Sequence, residues 1–477
     1  MPIRPQRVRD PLHNLIEFSA GQFEHTLWQV IQTQPFQRLR RIRQLGFSEF
    51  VYPGATHTRF AHSLGVFHTA RRLMEIIKAH IASRGGQVLE HQMQVALAAA
   101  LVHDVGHGMF SHSFEPVGKA RNLKMAQHET VSARLIRDSE IGEAFKALGS
   151  GFAQDVAEVV GRGGPGNLYD AVVSSQFDAD RLDYMQRDRL MTGVQNGGID
   201  FAWLLANLEV GTVPIVIDEE AAGTVETFVL GPKAIFSAET FVLALFQLYP
   251  TIYFHKTTRA AEKVFATLML KLIDLTLEGH VDKTGLSETH PIIRFSRDGD
   301  SLANALALDD SVFWGALSMM DDAVDPGVSE LAKRLRIRHL PKCIDIRPRL
   351  TSQAAAFSSS SNEEREAASR RMDKLTQFVE ERLEDWNRSH PAAAPRVLID
   401  RDERHPYKGF QESKGPLNQI RIRNDGNEIL DIAAHSRTVS AIEKFQLFRA
   451  YVDKDDFEAK KAVEDSIKDA VKENGHG

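Results

Sequence analysis

The sequence predicts a mainly α-helical protein with a small β-hairpin insertion and a smaller C-terminal α+β lobe, and three observations carry that expectation. Apolar residues recur at helical spacing, as at Leu64, Phe67, Leu73, Ile76 and Ile77, so that one stripe faces a core. The run MQVALAAALV, residues 93 to 102, is rich in Ala and Leu and reads as a buried helix. Period-two alternation is confined to GTVPIVIDEEAAGTVETFVLG, residues 211 to 231, and to the segments RVLIDR, NQIRIR, EILDIA and FQLFRAYV beyond residue 396.

At 477 residues the chain can bury a large core, and its size suits one large domain with a smaller lobe. The expected division is 1–300 for the helical core, 301–395 for a helical extension and 396–477 for the α+β lobe. A hydrophobic fraction of 43%, a charged fraction of 26% and a net charge of -6 give no global electrostatic case for nucleic acid. The single cysteine, Cys343, excludes an internal disulfide and a Cys-rich zinc module and fits a reducing cytoplasmic setting. The opening MPIRPQRVRDPLHN has no apolar signal region, and no run approaches the length of a membrane span, so neither secretion nor membrane insertion is expected.

Taken in order, RVRDPLHNLIEF is a strand-and-turn entry, with Pro11 and Asn14 as turn formers. TLWQVIQTQ reads as a helix, Pro35 as a break, and PFQRLRRIRQLG as a second helix whose Arg38, Arg40, Arg41 and Arg43 spread around more than one face, the pattern of a solvated cationic helix. EFVYPGATHTRF is an extended loop into a long helix from about Arg59 to about Ser83. His62 and His68 both lie on it, and six residues apart they do not share a face; His68 reads as structural. QHETVSARLIRD starts a helix with His128 and Glu129 in its first turn, and GRGGPGNLYD reads as a mobile connector placed to act as a lid. FDADRLDYMQRDRL is a helix carrying Asp180, Tyr184 and Arg187 on one face, and further helices are expected from Pro232 to about Leu277 with an interruption at Pro250. Beyond them come helices near 311–321 and 328–336, a charged amphipathic helix after a Ser-rich approach, and a polar terminal helix.

The chemistry concentrates in LVHDVGHGMFSHSFE, residues 101 to 115, where His103 and Asp104 end the buried helix and His107, His112 and Glu115 follow. Gly106 and Gly108 are read as points where backbone approaches a bound group. A lone His-Asp pair is weak evidence, but His62 upstream and the acidic Asp178, Asp180 and Asp183 downstream supply an N2O2 set from three helices, suited to a divalent cation. Such a cation lowers the pKa of its water and orients a phosphoryl oxygen. Arg59, Arg181 and Lys256 are candidates to neutralise phosphate charge, with Tyr184 donating a hydrogen bond. His112 is the candidate acid for the leaving oxygen, with Glu115 and His128 holding its charge state and His107 contacting phosphate or a residue that supports the site.

The order His62, His103-Asp104, Asp180 resembles the HD-domain phosphohydrolase superfamily. QLGFSEFVYPGATHTRFAHSLGV, HDVGHGMFSHSFE, His128-Glu129 and DADRLDYMQRD resemble its deoxynucleoside triphosphate triphosphohydrolases, from about Arg7 to about Lys263. That resemblance implies an HD-domain helical core, a transition metal (Mn, Fe, Zn, Co or Ni) on His62, His103, Asp104 and Asp180, Mg on the substrate triphosphate, and attack on the α-phosphorus of a dNTP. It implies Gln44 and Asp188 near the sugar hydroxyl, Tyr253 on the sugar face, Leu45 in the base pocket, Lys256 lining the nucleotide pocket, and Gln37, Arg38 and Arg40 at an activating nucleotide site of a homo-oligomer, dimer or tetramer. Three positions depart from the pattern. Gln32 stands for the acid that reads guanine, Leu245 for a phosphate-contacting Arg and Phe254 for a polar sugar contact. These departures keep open another nucleotide or a nucleic-acid phosphoester as substrate, and a nucleotide-sensing scaffold without turnover.

Overall fold

The computed structural model describes residues 4–162, 164–217, 220–353, 362–407, 417 and 419–474. It divides into two compact units, each assembled from three stretches of chain: 1–253, 298–313 and 405–443 in the first, 254–297, 314–404 and 444–477 in the second. The boundaries expected at 300 and 395 do not coincide with these.

The first unit is helical around the buried helix Glu90–Val102, whose residues from Val95 to Val102 are all buried. A helix apolar on every side is stable only when others enclose it. Arg59–Ser83 and Phe152–Gly161 pack on it, and Ala179–Thr192 packs on Arg59–Ser83. Asp178 starts Ala179–Thr192: its carboxylate accepts the N–H of Arg181 at 2.8 Å and of Ser175 at 2.9 Å. Burial pushes that carboxyl up to about 7.

The N-terminal entry is the antiparallel hairpin β1 (Gln6–Asp10) and β2 (Asn14–Phe18), and Phe18 stacks on Phe67 of the long helix. The inserted hairpin is β3 (Leu208–Ile217) and β4 (Glu220–Leu230). In the second unit β5 (Lys342–Asp345), a strand the sequence reading did not single out, and β6 (Val397–Arg404) flank a central β9 (Phe445–Val452). Their sheet, with the helices Asn362–Ser389 and Phe457–Asn474, encloses a core that includes Leu375, Val379, Leu383, Phe448, Val463 and Ile467. The remaining strands, β7 (Arg421–Arg423) and β8 (Ile429–Asp431), join the inserted hairpin in the order β3-β4-β7-β8, with β4 and β7 parallel. The expected C-terminal lobe is therefore divided: Arg421–Arg423 and Ile429–Asp431 complete a sheet of the first unit.

Three local expectations are corrected. PFQRLRRIRQLG is not one helix: Gln34–Arg38 tightens into a 3-10 turn at Leu39–Arg41, and Arg43 bridges to Thr58 in extended form. Its Arg38 is not solvated but buried, donating to the carbonyls of Leu308 at 2.7 Å and His107 at 2.8 Å. GRGGPGNLYD, whose described residues between Gly161 and Asp170 are non-helical, is fastened by the Asp170 carboxylate, which accepts from Arg162 at 2.7 Å and from the N–H of Gly166 at 3.0 Å. Pro232–Tyr253 is, contrary to expectation, long and apolar enough to cross a membrane by length and composition. In the fold it buries Phe241, Val242, Ala244, Leu245 and Leu248, a side that a core helix also presents.

Candidate metal centre

His62 projects from the first turn of Arg59–Ser83, His103 and Asp104 sit just past the end of Glu90–Val102, and Asp180 lies in the first turn of Ala179–Thr192. Their ligand atoms converge. His62 Nε2 lies 2.9 Å from Asp180 Oδ1 and 3.6 Å from Asp104 Oδ2; His103 Nε2 lies 3.3 Å from Asp104 Oδ1 and 3.6 Å from Asp180 Oδ1. Donors bound at about 2.1 Å to one ion stand roughly 3 Å apart along an octahedral edge, which is this spacing.

The second nitrogen of each imidazole fixes its orientation. His103 Nδ1 lies 3.0 Å from the carbonyl of Ala100 and His62 Nδ1 lies 2.8 Å from Asp183 Oδ2, both of them acceptors, so each ring turns an N–H away from the centre and its Nε2 atom toward it. His103 Nε2 is buried with no hydrogen-bond partner, the state of a ligand atom awaiting an electron acceptor. His62, His103 and Asp180 thus bring ligand atoms close enough to share one divalent cation, and Asp104 lies beside them, with Oδ2 toward His62 and Oδ1 toward His103.

Burial works against charge in all four, and their neighbours overcome it. Hydrogen bonds to Asp180 and Asp183 raise His62 to about 10. Arg59, His103 and His107 hold Asp104 well below the usual carboxylate range, and the two metal-facing imidazoles lower Asp180. Arg59 is buried, donating to Asp104 and, at 2.7 Å, to Ser111 Oγ, so in this structure it braces a ligand carboxylate.

A second group adjoins the first. His107 Nε2 is 3.2 Å from Asp104 Oδ1, its ring stacks on His128 at 4.1 Å and meets His112 edge-on at 4.9 Å. Glu115 Oε1 lies 2.8 Å from His112 Nδ1 and 2.7 Å from His128 Nδ1. Burial opposes its charge, but these imidazoles hold Glu115 far below its ordinary value. Burial, with Arg59 and His128, keeps His107 neutral. Phe110 and Ser111 have left-handed backbones at φ 53 and 58°, a turn pinned by the Phe110 N–H on Asp310 Oδ1 at 2.7 Å. Gly106 serves packing rather than ligand access: a Cβ there would lie 2.2 Å from the Ser132 nitrogen in the helix His128–Asp138.

The other expected residues distribute as follows. Asp188 accepts from Tyr253 Oη at 3.0 Å and lies 2.8 Å from His57 Nε2. Gln44 faces His57 across a backbone pair, its N–H on the His57 carbonyl at 3.0 Å, and Gln44 Oε1 and His57 Nδ1 are buried without partners. Leu45 precedes the 3-10 turn Gly46–Phe50. The Tyr184 ring meets Tyr253 at 6.2 Å, and burial raises both phenols well above their ordinary value. Arg181 is half-buried in the turn that carries Asp180, whereas Arg187 leaves the expected shared face: it is fully buried on Asp183 and Asp10. Lys256 is exposed at the start of Lys256–Leu277 in the second unit. Gln37 donates to the Ile31 carbonyl and accepts from Arg40, whose guanidinium lies over Phe60. His68, set apart as structural, packs on the His13 ring at 4.8 Å, and burial lowers it to about 4. The sequence reading missed His57, His13 and the role of Asp183. An acid three residues after Asp180 was the available signal for the last.

An HD domain family model matches residues 59–185 and an HD-associated region matches 219–291. The uncharacterised protein YwfO of Bacillus subtilis (strain 168) is 32% identical over 343 residues, 71% of this chain and 72% of that protein. The chain belongs to the HD-domain phosphohydrolase family. Deoxynucleoside triphosphate triphosphohydrolase SAMHD1 of Mus musculus is 28% identical over 69% of this chain, which spans 51% of that relative's length. A phosphohydrolase crystal structure from Bacteroides thetaiotaomicron VPI-5482 aligns with TM-score 0.68 and 25% identity over 94% of this chain and 99% of its own. The matched HD segment contains His62, His103, Asp104 and Asp180, together with Asp183 and the His107, His112, Glu115 and His128 group.

Proposed function

We propose that this HD-domain chain is a metal-dependent dNTP triphosphohydrolase that releases deoxynucleoside and intact triphosphate. One observation supports the reading above the others: two imidazoles and two carboxylates from three helices meet at ligand spacing, with the His112–Glu115–His128 group alongside. Resemblance to named dNTP triphosphohydrolases supports the substrate class. When bound at His62, His103, Asp104 and Asp180, a divalent transition metal supplies Lewis acidity that activates water and polarises a phosphoryl oxygen.

The chain's own residues do the rest. Arg181 neutralises the triphosphate, which also carries Mg, and Tyr184 donates to it; Arg59 keeps Asp104 ionised and oriented. Water adds to the α-phosphorus, the bond from phosphorus to the sugar O5′ breaks, and His112 delivers a proton to that oxygen while Glu115 stabilises the imidazolium. Asp188, held by Tyr253 and His57, accepts from the sugar hydroxyl, and the partnerless Gln44 Oε1 accepts beside it. Gln37 and Arg40 stay in this reading as contacts for a nucleotide effector of a homo-oligomer, while the backbone carbonyls on Arg38 leave it a structural part.

A second reading, hydrolysis of another nucleotide phosphoester, rests on Leu245 and Phe254. Both are buried in apolar packing, Phe254 on Phe445 at 5.3 Å, and neither supplies a polar contact to substrate. Incubation with each dNTP and Mn²⁺, followed by chromatography, separates the two. Deoxynucleoside and triphosphate in equal amounts support the first; inorganic phosphate or nucleotide products support the second.

A further inference from the structure

Behind His62, on the side away from the metal position, lies a charged network that the proposed chemistry does not use. Asp183 is fully buried and all its acceptor positions are engaged: Oδ2 takes Arg187 Nε at 2.8 Å and lies 2.8 Å from His62 Nδ1, while Oδ1 takes Arg187 Nη2 at 3.0 Å and lies 2.7 Å from His13 Nε2. Arg187, also fully buried, turns its other edge to Asp10, with Nη1 on Oδ2 at 2.8 Å and Nη2 on Oδ1 at 3.3 Å. Asp10 ends β1 and collects the N–H groups of Leu12 at 3.0 Å and His13 at 2.9 Å, which sets the turn that carries the His13 ring inward.

Two acids three residues apart thus bracket one imidazole: Asp180 faces Nε2 and Asp183 faces Nδ1 of His62. The helix carrying His62 leaves room for this at Gly65, where a Cβ would lie 2.0 Å from Asp183 Oδ1 and 2.3 Å from Arg187 Nη2. A buried ion pair is an expensive way to gain stability, since apolar residues of the same volume serve as well. Its geometric product here is specific: a carboxylate that cannot rotate, aimed at the ring nitrogen whose hydrogen bond decides which nitrogen of His62 is free to ligate.

We propose that Asp183, immobilised by Arg187, Asp10 and His13, is a positioning residue that locks His62 with Nε2 facing the metal, making the N-terminal hairpin a working part of the metal centre. This rests on the metal-site reading above. It extends that reading from four ligands to a support reaching 170 residues back in sequence, from Asp183 to His13.

The test uses the full chain stripped by chelator and titrated with zinc against a competing indicator, for wild type, Asp183→Asn, His13→Ala and Phe18→Leu. Asp183→Asn is expected to weaken zinc binding by about 10- to 100-fold, the usual cost of removing a support for a metal-bound imidazole, and His13→Ala to weaken it less. Phe18→Leu disturbs the same hairpin through its stacking on Phe67 without touching the network, so its zinc affinity is expected to stay at the wild-type value. The imidazole ¹⁵N signals of His62 in the zinc-loaded proteins give the second readout: Nδ1–H with Nε2 on zinc in wild type, and loss of that single form in Asp183→Asn. Wild-type affinity and an unchanged signature in folded Asp183→Asn would overturn the inference while leaving the metal site standing. If that variant does not fold, unchanged affinity in His13→Ala does the same. Failure of the wild-type chain to bind zinc would overturn the metal-site reading and this inference together.

Discussion

A histidine beside an aspartate says little until its second ring nitrogen is accounted for. His103 turns Nδ1 to the Ala100 carbonyl and His62 turns its own to Asp183, which leaves the two Nε2 atoms facing the proposed metal position. The sequence made the convergence of His62, His103, Asp104 and Asp180 legible, because their types and order recur in a resemblance of long motifs. It did not make the supports legible: Asp183 and Asp180 sit in one acidic helix turn, and only the fold assigns one to each nitrogen of His62. The contact of His112 with Glu115 was readable from their three-residue offset, since that spacing stacks the two along a helical turn. His112 is exposed and is not among the four proposed ligands. His112→Ala is therefore expected to retain its metal and its substrate affinity while kcat falls by about 10²- to 10⁴-fold, the range for loss of a general acid. Steady-state kinetics alongside metal content check this, and an unchanged kcat would remove His112 from the role.

At the scale of elements, the strongest patterns translated directly. Glu90–Val102 is apolar on all sides from Val95 onward and lies there in the core, and Arg59–Ser83 begins and ends where its periodicity does. PFQRLRRIRQLG was misread because four arginines imitate a solvated helix. One of them, Arg38, instead satisfies carbonyls at the chain's crossing with residues 305 to 308, contacts too distant in sequence to leave a local signal. The long helix also carries a constraint invisible to periodicity, at Gly65. Gly65→Ala is expected to force Asp183 and Arg187 off the helix surface and destabilise the first unit by about 3–5 kcal/mol, the cost of breaking a buried ion pair. Chemical denaturation measures it, and a change below about 1 kcal/mol would show that the packing yields more freely than the 2.0 Å approach implies.

For the whole molecule, composition and periodicity conveyed the class, a helical core with small β elements, but not the way the chain is partitioned. Two strands expected in the terminal lobe, β7 and β8, complete the sheet begun by the inserted hairpin, about two hundred residues earlier in the chain. Such returns carry no sequence period, so only tertiary pairing reveals them. The candidate centre is similarly assembled over distance: His62 and Asp180 are 118 positions apart and meet because two helices pack side by side. The most direct test is therefore the metal content of the purified, manganese-loaded chain, measured by plasma mass spectrometry for wild type and for His103→Ala. One tightly held ion per wild-type chain, lost in a variant that still unfolds cooperatively, is the predicted result; equal metal content in the two proteins would contradict the account.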